Sequence, residues 1–415
     1  MKKALKWLAA AVAAVVALVG GAAAWIALAP LPRYPVEKVE FPVDVTPERV
    51  ARGRKTVEML CAACHLDTAI GALTGKRMPD LPPRFGESWS LNVTADPVKG
   101  IGSWTDGEIA YLLRTGVARD GRYTPPWMIK TPNLSDEDLR DVIAFLRSDD
   151  PLVRARDVDD RESRPSFLTR LLCRVAFGPL PWPREPIVAP PPEDEVAYGR
   201  YLVTGRWQCF TCHSADFATV DDLQPERSAG YLGGGNGMPD VTGRVVYTSN
   251  LTPDAETGIG AWTLDQFRRA LVEGVGPNNR AVQYPMVPYR LLTDTEVEAM
   301  FAYLRTVPPI RNEVPQAEAP LVADDSSRGR QVYYAYGCNG CHGDTGLGQW
   351  DLRGAPARYP TDEELIAYIK HPEKAQPGVA MPTWDGVIGE DEYAPLAAYI
   401  RSLARADAPA SDAGS

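Results

Sequence analysis

Three lysines (Lys2, Lys3, Lys6) open the chain, and Trp7 to Ala29 then runs 23 residues without a charge. At 1.5 Å per residue that run crosses a bilayer core of about 30 Å, whereas the apolar region of a cleaved signal is about 7–15 residues long. The pattern predicts an N-terminal transmembrane anchor or signal over 1–30, with Ala22-Ala23-Ala24 as a small-residue site at which a signal would be cut. Lysines before the span and mixed charges from Arg33 to Glu40 after it orient the bulk of the chain outward.

Beyond a 31–45 linker, helical periodicity closes three times in the same way. Ala144-Phe145-Leu146-Arg147, Ala302-Tyr303-Leu304-Arg305 and Ala398-Tyr399-Ile400-Arg401 each end an apolar stripe. The first two stripes start at Ser135-Asp136-Glu137-Asp138 and Thr293-Asp294-Thr295-Glu296, where a hydroxyl caps the first turn and acids meet the positive helix end. Between the first two units, Phe167, Leu168, Leu171, Leu172 and Phe177 fall on one side of a short amphipathic helix, with Arg164, Arg170 and Arg174 on a polar side. That helix either docks onto a domain or meets a membrane surface or partner subunit, and a stiff stretch from Pro179 to Pro192 follows it.

An internal repeat runs without a gap from Asn92–Arg147 to Asn250–Arg305 at an offset of 158. It pairs Asn92/Asn250, Thr94/Thr252, Asp96/Asp254, Gly100-Ile101-Gly102/Gly258-Ile259-Gly260, Trp104-Thr105/Trp262-Thr263 and Met128/Met286. The third repeat lacks the long insert that runs from Asn92 to Thr105 and from Asn250 to Thr263. The matched Trp104 and Trp262 either pack to close that insert or donate an indole N–H to a ligand.

Composition narrows the class. A net charge of −10 without basic clusters argues against nucleic-acid binding, which needs grouped Lys and Arg to displace counterions. Seven cysteines leave one over from any disulfide framework. Six of them, with three of the four histidines, form Cys61-Ala62-Ala63-Cys64-His65, Cys209-Phe210-Thr211-Cys212-His213 and Cys338-Asn339-Gly340-Cys341-His342. Two thiols three positions apart can each take one vinyl group of haem as a thioether, and the adjacent imidazole then lies under the iron. Structural zinc would need a fourth ligand at each cluster, and a thioredoxin-like redox pair has no use for the histidine. The expectation is three covalently bound haem c groups, held by Cys61, Cys64, His65, Cys209, Cys212, His213, Cys338, Cys341 and His342.

The second axial ligands are expected to be Met128, Met286 and Met381, which precede the aromatic of the closing helix by 17, 17 and 18 residues. Their rivals, Met78 and Met238, also form a pair but precede the insert. Met59 and Met300 read as core, Cys173 as a small buried hydrophobe, and His371 as a loop imidazole or a rival ligand for the third iron. Each unit opens alike, with Gly53, Gly199 and Gly329 eight to ten residues ahead of the first cysteine. A glycine there permits close approach of another backbone, with Phe145, Tyr303 and Tyr399 as its partners.

A glycine-bearing first helix, CxxCH, an axial Met and an aromatic last helix resemble the class I cytochrome c domain. Residues 46–405, through Asn250-Leu251-Thr252-Pro253-Asp254…Trp262-Thr263 and its copy at Asn92, look like the tri-haem cytochrome c subunit of bacterial membrane-bound alcohol, gluconate and polyol dehydrogenases. The chain departs from that pattern in its N-terminal span and in having nothing apolar after Leu403. The resemblance implies an all-α fold of three tandem cytochrome c domains after the N-terminal helix. Domain 1 covers 46–150, a connector 151–192, domain 2 193–310, a linker 311–322, domain 3 323–405 and a disordered tail 406–415. It further implies a non-catalytic, periplasm-facing electron carrier on the inner membrane. That carrier would relay electrons from a dehydrogenase subunit to quinone or a terminal oxidase, and a peroxidase-like haem enzyme with one open axial site is the alternative.

Overall fold

The computed structural model describes residues 2–67, 70–78, 81–239, 245–282, 284–315, 328–343, 345–347, 350–376, 379 and 381–405. Part of the 311–322 linker and all of the 406–415 tail lie outside the described residues. The chain divides into two compact units, Met1–Val188 and Ala189–Ser415.

In the first unit, α1 (Lys2–Leu28) is the apolar N-terminal span, and its surface is exposed along nearly its whole length. Helix α2 (Pro47–Thr56) is capped by Thr46 and runs through a π turn, Val57–Cys61, into α3 (Ala62–His65). Helix α4 (Asp106–Thr115) starts in a capping box of Thr105 and Glu108, and α5 (Asp136–Leu146) starts at Ser135, as the acid-rich starts predict. The core gathers Val57, Leu73, Ile109, Leu139, Ile143 and Phe145, with Trp104 packed against it, so Trp104 closes the insert by packing.

The flanking segments belong to this core. Phe41 is buried in it, and Trp182 lies against Phe41, Tyr111 and the Arg114 guanidinium. A short ribbon pairs β1 (Gly86–Glu87) with β2 (Arg164–Pro165), and α6 (Phe167–Val175) follows, with Cys173 fully buried.

In the second unit, α7 (Glu195–Tyr201) runs through another π turn, Leu202–Arg206, toward α8 (Cys209–His213). A ribbon of β3 (Gly237–Pro239) and β4 (Val245–Tyr247) precedes α9 (Leu264–Arg268) and α10 (Asp294–Leu304). Helices α11 (Arg328–Ala335), α12 (Asn339–His342), α13 (Ala355–Arg358), α14 (Asp362–Lys370), α15 (Pro372–Ala375) and α16 (Glu390–Arg405) complete it. The fold is largely helical; the two ribbons are small additions that helical periodicity does not register.

Three helix pairs organise the units: α2 with α5, α7 with α10, and α11 with α16. Each crossing is built on the expected glycine. A β-carbon at Gly53 would lie 1.8 Å from the Asp141 carbonyl oxygen and 3.0 Å from Phe145 Cβ. At Gly199 the clashes would be 1.8 Å with Ala299 O and 2.9 Å with Tyr303 Cβ, and at Gly329 1.9 Å with Pro395 O and 2.8 Å with Tyr399 Cβ. Around the first crossing, Arg49 and Arg52 hold the buried Asp141 carboxylate at 3.0 and 2.6 Å. The arginines ending the closing motifs tie down the insert: Arg147 bonds Ile101 O and Trp104 O, and Arg305 bonds Gly260 O at 2.6 Å.

Replacing Gly329 by Ala is expected to destabilise its helix pair by about 1–3 kcal/mol, the range for forcing extra volume into a packed contact. Gly354→Ala, where nothing lies within 4 Å of the new methyl, is the control. Thermal melts followed by circular dichroism separate the two.

Candidate haem-attachment sites

The three CxxCH segments occupy three comparable short helices, α3, α8 and α12, each reached directly from the first helix of a crossing pair. A single helical turn places the two thiols on one face and the imidazole beside them. Burial pushes the thiols of Cys61, Cys209 and Cys338 up to about 12 and those of Cys212 and Cys341 up to about 11. These are neutral thiols, unlike the cation-assisted thiolates of redox-active CxxC pairs. Among the described residues no group of three or more His, Cys, Asp and Glu is arranged to hold a metal ion, as a structural zinc site requires.

Each histidine is oriented by a backbone carbonyl. His65 Nδ1 lies 2.8 Å from Leu91 O, His213 Nδ1 2.8 Å from Ser249 O, and His342 Nδ1 2.9 Å from Trp350 O. A ring nitrogen facing a carbonyl must donate, so Nδ1 carries the proton and Nε2 keeps the lone pair a metal needs. Burial also holds all three imidazoles below their ordinary range, and therefore neutral.

The repeat explains how two of these carbonyls are presented. The residue after each acceptor is the matched Asn. Asn92 Oδ1 accepts from Thr94 N and Oγ1 at 3.0 and 2.7 Å, and Asn250 Oδ1 from Thr252 N and Oγ1 at 2.9 and 2.7 Å. The Asn amides reach across to Arg156 O and Val158 O in one copy and to Ile310 O in the other. Gly100 and Gly258 then pass within 2.2 Å, measured from an added β-carbon, of Thr94 O and Thr252 O. The insert is thus a buried turn that pins the proximal carbonyl. Gly75 and Gly234, both with positive φ, donate their N–H to His65 O and His213 O at 2.9 and 2.8 Å. Neither glycine belongs to a motif that the sequence singles out, and they stand 10 and 21 residues after their histidines.

The offset of 158 also holds in the loops carrying Met128 and Met286. Thr131 N bonds Leu113 O at 2.7 Å and Tyr289 N bonds Leu271 O at 2.8 Å; Thr124 N bonds Gly116 O and Val282 N bonds Gly274 O, both at 2.8 Å. Tyr289 stacks edge-on against Trp207 at 5.9 Å, and its phenol is pushed up by burial and by the neighbouring Cys209 and Cys212. The Met286 loop therefore borders the second thiol pair. Around the third CxxCH segment, Met381 and Cys338 pack against one apolar cluster containing Tyr333, Trp384 and Leu396.

Met78 N bonds Ser88 O at 3.0 Å, and Met238 pairs with Val246 in the β3–β4 ribbon, so both sit in hairpins leading back to the carbonyl that holds the histidine. Met300 is buried in α10, whereas Met59 is only half-buried in the π turn. The ring nitrogens of His371 face Glu373 and Asp385, each at 3.4 Å.

Within the second unit, Arg290 clamps two loops together. From the Met286 loop it donates to Val379 O at 2.9 Å, Thr383 Oγ1 at 3.1 Å and Met381 O. Tyr284, in the same loop, meets Trp350 edge-on at 5.8 Å, and Trp350 supplies the carbonyl that orients His342.

Paired thiols and carbonyl-oriented imidazoles fit covalently attached haem c. Residues 50–149 match the cytochrome c family, and residues 324–400 match a family described as cytochrome c oxidase, cbb3-type, subunit III. The chain carries cytochrome c domains, which are electron carriers.

It is 27% identical over 372 residues to the gluconate 2-dehydrogenase cytochrome c subunit of Pantoea cypripedii, covering 82% of both chains. It is 26% identical over 373 residues to the cytochrome c subunit of the quinone alcohol dehydrogenase of Gluconobacter oxydans, covering 82% of this chain and 75% of that one. A nicotinate dehydrogenase subunit of Pseudomonas putida is 28% identical over 382 residues, 84% of this chain, but the match spans only 30% of that longer protein.

Asn250→Ala is expected to cost about 1–3 kcal/mol, because it strands the buried Thr252 N–H and removes the amide bond to Ile310 O; chemical denaturation measures it. Arg290→Ala should cost a similar amount and raise hydrogen exchange in both the 284–290 and 379–384 segments. Protection lost in only one of them would contradict the clamp.

Proposed function

We propose that this chain is a membrane-tethered tri-haem c-type cytochrome that relays electrons from a dehydrogenase subunit to quinone or a terminal oxidase. The observation that carries the reading is the threefold recurrence of one construction: glycine crossing, CxxCH turn, carbonyl-held imidazole and a Met-bearing loop before the closing helix. In it Cys61/Cys64, Cys209/Cys212 and Cys338/Cys341 attach the haems. His65 with Met128, His213 with Met286, and His342 with Met381 supply the axial pairs. The haem iron supplies reversible one-electron chemistry, and a thioether ligand raises its potential relative to a second imidazole.

The chain's own residues perform the rest. Carbonyl-bonded Nδ1 protons hold each imidazole in one tautomer and orientation, so oxidation and reduction proceed with little rearrangement. Arg290 and Tyr284 keep the second and third sites in fixed register, as an electron path through them requires. The anchor fits α1, which is long and apolar enough to span a membrane by length and composition, a test that a signal sequence also passes. The bulk of the chain then faces the periplasm from the inner membrane. A dehydrogenase as donor follows the names of the similar proteins, which are cytochrome c subunits of gluconate and alcohol dehydrogenases. Both nitrogens of His371 face carboxylates, which leaves neither directed at an iron.

Pyridine-haemochrome analysis with intact mass should give three haems per chain, low-spin, with no CO binding after reduction. Met128→Ala, Met286→Ala and Met381→Ala should each convert one haem to a high-spin, CO-binding form. Two haems, or one high-spin haem in the unsubstituted protein, would overturn the assignment.

A further inference from the structure

Helix α6 is packed the wrong way round for a soluble domain. At 100° per residue, Phe167, Leu168, Leu171, Leu172 and Val175 share one 140° face, yet that face is turned outward: Phe167 is 46% and Val175 71% exposed, and the three leucines are only half-buried. The side pressed onto the protein carries Thr169, 1% exposed, and Cys173, 0% exposed. Thr169 Oγ1 donates to Phe85 O at 2.7 Å, and Ser166 Oγ bonds Arg84 O at 2.6 Å, so polar bonds and not apolar burial hold the helix down. A helix of this amphipathicity ordinarily buries its apolar stripe.

Its position supplies the missing cover. Arg170 and Arg174 donate to the carbonyls of Ala29 and Pro30, the first residues beyond α1, and the Arg174 guanidinium lies 4.9 Å above the Trp25 ring. The apolar face of α6 therefore stands where α1 leaves its apolar surroundings. It is flanked by the exposed cations Arg84 and Arg164, and α6 itself contains no acid.

We propose that α6 lies in the plane of the membrane at the interface where α1 emerges, its Phe167–Val175 face among the acyl chains and the surrounding arginines at anionic headgroups. The span and the in-plane helix, joined by the two arginine clamps, make two non-parallel contacts with the bilayer. One helix alone leaves a domain free to swivel; two fix which side of the first haem unit faces the lipid.

The inference rests on α1 spanning the membrane, so the test separates the two. The full-length protein with Cys173→Ala and Val175→Cys carries a nitroxide at 175, in nanodiscs of phosphatidylcholine and phosphatidylglycerol. A matching chain is labelled at Val188→Cys, 81% exposed, as the aqueous reference. Power-saturation EPR should show the label at 175 severalfold more accessible to oxygen, relative to a water-soluble nickel complex, than the label at 188. Equal ratios in a chain that resists carbonate extraction would overturn the in-plane helix and leave the anchor standing. Release of the unsubstituted chain by carbonate would overturn both. A label at 175 shielded from oxygen and nickel alike would assign the face to a protein partner instead. Retained haem absorbance shows that each variant is folded.

Discussion

Everything around the three sites depends on how closely two helices cross. At Gly53, Gly199 and Gly329 the closing helix brings a backbone carbonyl to a distance that no side chain tolerates, 1.8 to 1.9 Å from where a β-carbon would stand. That contact fixes the first helix of each pair. The chain then passes within ten residues into the cysteine turn, so the thiols and imidazole inherit their position from the crossing. The polar neighbours reinforce it: Asp141, buried beneath Arg49 and Arg52, ties α2 to α5 beside the glycine.

The second constraint is a single carbonyl per site. A histidine beside an apolar crevice could turn its ring or present the wrong nitrogen; a fixed acceptor at Nδ1 removes both freedoms. In two units this acceptor is held by a buried Asn–Thr turn, and the Gly-Ile-Gly segment that follows exists because the turn's carbonyls approach too closely for side chains. The long insert thus orients the histidine through the carbonyl that precedes it. The third unit achieves the same end with Trp350 and no such insert, which explains how it can be shorter.

Coupling between sites is also visible in the second unit. Arg290 leaves the Met286 loop to bind three acceptors around Met381, and Tyr284 rests on Trp350. These contacts join the loop around Met286 to both the Met381 segment and the carbonyl that orients His342.

Much of this was legible in the chain itself. CxxCH spacing identifies the chemistry because thioether attachment and iron ligation are local, satisfied within five residues. The glycines, the closing aromatics and the capped helix starts are likewise local signals, as is the 158-residue offset, which reappears in the Asn–Thr turns and in the loop bonds around Met128 and Met286. Other features had no such signal. The carbonyls of Leu91, Ser249 and Trp350 are backbone atoms, so no residue type announces them. The π turns ahead of Cys61 and Cys209, the small ribbons and the packing of Phe41 and Trp182 onto the first core arise from contacts far apart in sequence. The amphipathic pattern of α6 was plain, but which face it buries was not, since periodicity reports that two faces differ and only the neighbours decide which one turns inward. The sequence by itself determined what the protein can attach; the tertiary structure decided how each ligand is aimed, because orientation depends on acceptors that only folding brings near.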